Sequence, residues 1–197
     1  MLDPRFVIIG ALFNLVGSAA YIRDTFRGKT KPNRVTWLLW GVAPMIAFAG
    51  ELGEHVGLQS LTTFMAGFCP ILVLAASFVN RKAYWALTRL DLACGALSLC
   101  ALVLWALTRT GNVAIIFSVL ADGLAAAPTI IKSYRHPDTE SAIAYLSSGT
   151  SGVITLLTIR TWTFALVAFP IYLVICNAVI YTFTKFPHFR PARSISS

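Results

Sequence analysis

Charge is what this chain has least of. Eight acids and 16 lysines and arginines make up 12% of its 197 residues, where a soluble domain carries roughly a quarter. That scarcity argues against a soluble globule. No Asn-x-Ser/Thr acceptor occurs, so glycosylation assigns the chain to no compartment. The four cysteines, Cys69, Cys94, Cys100 and Cys176, stand inside apolar stretches with no ligand spacing between them, and read as buried thiols. His55, His136 and His188 are equally scattered. With no nucleophile elbow, phosphate loop or zinc motif, the sequence points to no enzyme, no metal and no cofactor. Asp3 precedes the first apolar run and no basic leader does, so that run reads as a retained helix and not a cleaved signal. The net charge of +8 sits in short clusters between apolar blocks. That is a membrane pattern, and it excludes nucleic acid as the expected partner.

What the chain does have is apolar length. The hydrophobic share is 57%. Blocks at residues 6–22, 35–52, 61–80, 91–108, 112–131, 141–159 and 161–183 are nearly free of charge. Each suits a hydrocarbon slab of about 30 Å. They do not alternate, and inside lipid every backbone group must be bonded internally, so they are read as transmembrane helices. Most basic residues fall in the loops on one side: Arg23 to Arg34, Arg81 to Arg89, Lys132 and Arg135, and Lys185 onward. Arg5, Arg109 and Arg160 fall on the other. The positive-inside bias predicts a cytoplasmic C-terminus and an N-terminus outside. Short loops and a compact tail suggest a bacterial inner membrane. Membrane lipid is the expected surrounding, and a homo-oligomer stays open.

The chain also says much the same thing twice. Ile8, Leu12, Asn14 and Ala19 are answered by Ile116, Leu120, Asp122 and Ala127, 108 positions later. Phe26-Arg27 is answered by Tyr134-Arg135, Trp37-Leu38 by Tyr145-Leu146, and Gly41 by Gly149. For the third member the offset falls to 100, with Pro70-Ile71 answered by Pro170-Ile171. A three-helix unit has odd parity, so a lone linker helix is needed to insert both copies the same way up. The expectation is an all-α protein of seven transmembrane helices in a 3+1+3 plan. Its parts are a first bundle at 1–82, a linker helix at 83–111, a second bundle at 112–185 and a cytoplasmic tail at 186–197. Small residues spaced by four, such as Ala43/Ala47, Gly123/Ala127 and Ser148/Gly152, would let helices approach closely.

In the second half, Pro128-Thr129-Ile130 runs through Tyr134 to Glu140-Ser141. This segment, with the seven-helix plan, resembles the PQ-loop superfamily, which holds the SWEET-like sugar exporters and lysosomal amino-acid exporters. In the first half Ala20-Tyr21 stands where the signature dipeptide belongs. The resemblance implies a transporter of a small polar solute, a sugar, amino acid or similar, working by alternating access. It implies hinges at Pro44, Pro128 and Gly152, and a pocket residue at Asn177 whose counterpart is Ser77. The spacing Trp37-Leu38-Leu39-Trp40 resembles a feature of bacterial vitamin-precursor transporters related to PnuC, which share the 3+1+3 plan. Sorting receptors look like this plan too, and would need a charged luminal pocket. A retinal-type photoreceptor would need a lysine within a span, and no predicted span has one.

Asp122 is the most informative single residue. A carboxylate in the middle of a membrane helix costs roughly 2.5–3.5 kcal/mol on insertion scales unless it faces a partner or water. It reads either as a substrate-binding and proton-coupling group or as a packing acid tied to neighbouring helices. With its repeat partner Asn14 it would define a central site, lined also by Ser148, Asn177 and Trp40. Trp40 reads as a stacking wall or gate, or, with Trp37 and Tyr145, as part of an interfacial belt. Trp85, Trp105 and Trp162 read as belt residues. Ser147, Ser148, Thr150 and Ser151 read as a polar strip or as hydroxyls bonded back to their own helix. Asp91, at a helix start beside Arg89, reads as a solvated N-terminal acid.

Overall fold

A computed structural model describes residues 2–80, 83, 85–108 and 111–186, apart from the side chains of Trp105, Thr108 and Gly111. Arg81, Lys82, Arg109 and the tail from 187, including His188, Arg190 and Arg193, lie outside the described residues, as does the side chain of Trp105. Within them the chain is all helix: α1 (Phe6–Phe26), α2 (Arg34–Gly53), α3 (Ser60–Val79), α4 (Arg89–Thr108), α5 (Gly111–Arg135), α6 (Ala142–Thr158) and α7 (Phe164–Lys185), with a short 3-10 turn at Pro137–Thr139. α1, α2, α3, α5 and α7 are long and apolar enough to cross a membrane, and α6 is a shorter apolar helix.

The distribution of side chains decides the solvent. Large apolar residues point outward: Ile8, Leu12 and Val16 on α1, Leu92, Leu99 and Val103 on α4, Leu120 on α5, Leu157 on α6 and Ile175 on α7 are all exposed. The interior instead holds Asn14, Thr62, Thr63, Ser77, Ser118, Asp122, Thr155 and Asn177. Water would drive such a pattern the other way round, because contiguous exposed apolar surface is unfavourable in water. In hydrocarbon it is the stable arrangement. The protein is an all-α integral membrane protein.

α1 shows how the sequence builds one wall. Val7, Gly10, Ala11, Asn14, Gly17, Ser18, Tyr21 and Thr25 are its buried residues. They recur every three or four positions and so form one stripe. The stripe is mostly small, which lets the helices close up. A Cβ at Gly17 would stand 2.6 Å from the Ser147 Cβ of α6, far inside contact distance, so the α1–α6 approach depends on that glycine. Gly28, at φ 71°, turns the chain out of α1, a conformation that glycine adopts freely.

The helices form a ring. α1 packs on α3, α3 on α2, α2 on α5, α5 on α7, α7 on α6, and α6 back on α1. α4 lies outside it, against α5 and, less closely, α2. The loop after α1 and the segment after α5 share one end of the ring, where the Lys31 N–H donates to the Thr139 carbonyl at 3.0 Å. We call this the loop end.

Two sequence readings are corrected here. Asp91 is not solvated but buried. Its Oδ1 accepts from Asn33 Nδ2 at 2.6 Å, and its Oδ2 from the Thr88 N–H at 2.5 Å. Asn33 is itself the N-cap of α2, its side-chain oxygen accepting from the Val35 and Thr36 N–H groups. The two acts of capping tie the starts of α2 and α4 together, and burial follows from the shared bonds. Trp37, Trp40 and Tyr145 are not belt residues either, since each is at most 8% exposed and sits in the main core cluster. Trp162, by contrast, is exposed.

Candidate functional site

The ring closes around a cavity at about half the depth of the helices. Asn14 and Ser18 reach it from α1, Trp37, Trp40 and Pro44 from α2, Asp122 from α5. The opposite wall is Tyr145 and Ser148 of α6 with Tyr172, Cys176 and Asn177 of α7. Its volume is about 60 Å³, room for about two waters.

The structure therefore brings together all five residues that the sequence singled out for a solute: Asn14, Trp40, Asp122, Ser148 and Asn177. Of the three hinge positions, only Pro44 touches the cavity. Pro128 is buried one turn and a half along α5. Gly152 has a packing reason of its own, because a Cβ there would meet Val174 Cγ2 at 2.9 Å and the Pro170 carbonyl at 3.2 Å.

Asp122 is held on one side only. The Tyr172 hydroxyl donates to its Oδ2 at 2.6 Å, while its Oδ1 is buried with no hydrogen-bond partner. Asn14 Nδ2 is buried and unpartnered in the same way, and Trp37 Nε1, which makes no well-aligned hydrogen bond, faces the Tyr21 hydroxyl. Such groups cost about 1–3 kcal/mol each when left unmet, and here the three residues that carry them line one cavity. Buried orphans of this kind are uncommon in folded proteins, and three of the six found among the described residues belong to residues of this lining. Asn177 is committed differently, its Nδ2 donating to its own helix at the Leu173 carbonyl, 2.8 Å away.

Backbone polarity near the cavity is also shared between helices. The Ala121, Asp122 and Ala125 carbonyls, in the turns before Pro128, accept from Ser98 Oγ of α4, Trp40 Nε1 of α2 and Thr36 Oγ1 of α2. These bonds brace a stretch that a proline has weakened.

An aromatic and ionic plug occupies the loop end. Tyr21 lies 4.7 Å from Trp37, Trp37 5.3 Å from Trp40, and Trp40 6.4 Å from Tyr145, between ring centroids. The Tyr21 and Tyr145 hydroxyls both donate to Glu140 Oε2, at 3.0 and 2.5 Å. Glu140 Oε1 pairs with Lys132 Nζ, and the two side chains are 0% and 1% exposed. Lys132 also donates to the Lys31 carbonyl and lies over the Trp85 ring. Sequence reasoning passed over this cluster. Glu140 and Lys132 look like solvated loop charges, and Tyr21 is 119 positions from Glu140. At the opposite end the Thr62 and Thr155 hydroxyls are bonded across the ring from α3 to α6. Nearby, Glu51 is buried and accepts from Thr63 Oγ1 at 2.8 Å.

No family model, no curated protein and no solved structure matches this chain. Among the described residues no group of histidine, cysteine and acid side chains could hold a metal ion.

Proposed function

We propose that the protein is a membrane transporter of a small polar solute, working by alternating access between two halves of the ring. The observation that carries this reading is the cavity inside the ring, three of whose lining residues carry a polar atom without a hydrogen bond. A passing solute would satisfy them.

The neighbour pattern supports two like-oriented triplets. Exchanging α1, α2 and α3 for α5, α6 and α7 turns the contacts α1–α3 and α2–α3 into α5–α7 and α6–α7, all of which occur. The same exchange turns α1–α6 into α5–α2, which also occurs. α4 is then the spacer of a 3+1+3 plan, in keeping with the PQ-loop resemblance. Alternating access needs a barrier on either side of the site. The Tyr21–Trp37–Tyr145–Glu140–Lys132 plug would be one, and the Thr62–Thr155 tie the other. In this reading the loop end is cytoplasmic, Pro44, Pro128 and Gly152 are where the halves flex, and Asp122 exchanges a proton or a charged solute during the cycle.

The test is uptake into liposomes carrying the purified protein, with labelled sugars, amino acids and amines offered in turn. Saturable uptake of one class, lost in Asp122→Ala, is the expected result. Binding without passage of any class would point to a receptor instead.

A further inference from the structure

The cavity wall also says what kind of solute fits. Its one charged side chain is Asp122, and no lysine, arginine or histidine is among its lining residues. An anion would meet a carboxylate with nothing to offset it. The free Oδ1 of that carboxylate is an acceptor, so it calls for a donor. Around it stand ring faces and edges: Trp40, whose Nε1 bonds the Asp122 carbonyl at 3.3 Å, Tyr172, which bonds the carboxylate itself, and Trp37 5.3 Å from Trp40. A carboxylate flanked by aromatic rings is the arrangement that attracts an organic cation, through charge on one side and ring quadrupoles on the other. The remaining free group, Asn14 Nδ2, is a donor, which suits a hydroxyl, ether or carbonyl oxygen.

Resting on the reading of this cavity as a solute site, we infer that its ligand is a small protonated amine. Its ammonium N–H groups bind Asp122 Oδ1, its body lies against Trp37 and Trp40, and any oxygen it carries faces Asn14. A carboxylate on the ligand is excluded by the same wall, which sets simple amines apart from amino acids. The room, about 60 Å³, is well below the roughly 150 Å³ that takes a benzene ring, so the ligand is limited to something near ethylamine in size.

Calorimetric titration of the detergent-purified protein tests this with matched small probes: methylamine, methanol and formate, then ethylamine, ethanol and acetate. The amines are expected to bind saturably, the alcohols about ten- to a hundredfold more weakly for want of the charge-assisted bond, and the carboxylates not at all. Asp122→Asn is expected to bring the amine down to the level of the alcohol. The ranking in the wild-type protein needs no variant, so a misfolded variant leaves the test intact. Equal binding of amine and alcohol, or tighter binding of the carboxylate, overturns the inference. Amines that bind but do not cross the liposome membrane uphold it and count against transport. A sugar that is carried while no amine binds does the reverse.

Discussion

Glu140 offers the sharpest energetic prediction. Its carboxylate is fully buried and accepts from Lys132, Tyr21 and Tyr145. In Glu140→Ala the Lys132 ammonium stays buried, with only the Lys31 carbonyl and the Trp85 ring for company. Removing one partner of a buried ion pair costs about 3–5 kcal/mol. Two tyrosine hydroxyls also lose their acceptor, at about 1–3 kcal/mol each. These overlap within one network and do not add, so the expected cost is about 3–6 kcal/mol. Lys132→Met combined with Glu140→Leu removes both charges and leaves a volume-matched apolar pair. It is expected to cost at least about 1 kcal/mol less than Glu140→Ala alone, because no lone charge remains buried. The assay is reversible unfolding in mixed micelles, following wild type, Glu140→Ala and the cycle formed by Glu140→Leu, Lys132→Met and their double variant through a denaturing-detergent titration. A cost below about 1 kcal/mol for Glu140→Ala, or a double variant whose cost equals the sum of Glu140→Leu and Lys132→Met, would refute the reasoning.

Gly17→Val should destabilise the protein by about 1–3 kcal/mol through overpacking, since even a Cβ falls 2.6 Å from Ser147; the same titration reads it, with Ala19→Val on the exposed face of α1 as the neutral control. Asn33→Ala should cost about 2–4 kcal/mol, combining a lost N-cap with a buried acid left short of a donor, and Asn33→Asp, which keeps the cap but faces Asp91, should not restore it. Tyr172→Phe frees the second oxygen of Asp122; uptake should change and folding should lose about 1–3 kcal/mol, and unchanged uptake would separate that hydroxyl from the cycle.

Much of the molecule was legible because lipid imposes simple rules. Continuous apolar runs gave seven helices, since nothing else satisfies a backbone in hydrocarbon. Asp122 stood out because a membrane carboxylate is costly, and the expected repeat pointed from it to Asn14, which lines the same cavity. The aromatic wall was harder to see. In sequence a tryptophan near a helix end looks like a belt residue, and only the stripe Trp37, Trp40, Pro44, one face of α2, could have argued for the interior. Least legible were the loop-end charges. Glu140 and Asp91 are buried by partners on other helices, Tyr21 and Asn33, and a contact 119 or 58 positions apart leaves no local trace.

Cys176 gives the most direct test of alternating access, because it lies on the cavity wall. With Cys69, Cys94 and Cys100 changed to alanine, it is the one thiol left in the chain. A membrane-impermeant cationic methanethiosulfonate would be applied to right-side-out and, separately, to inside-out vesicles. The account predicts that Cys176 is modified from both faces and that a transported solute slows both reactions. Modification from one face only, or from neither, would contradict it.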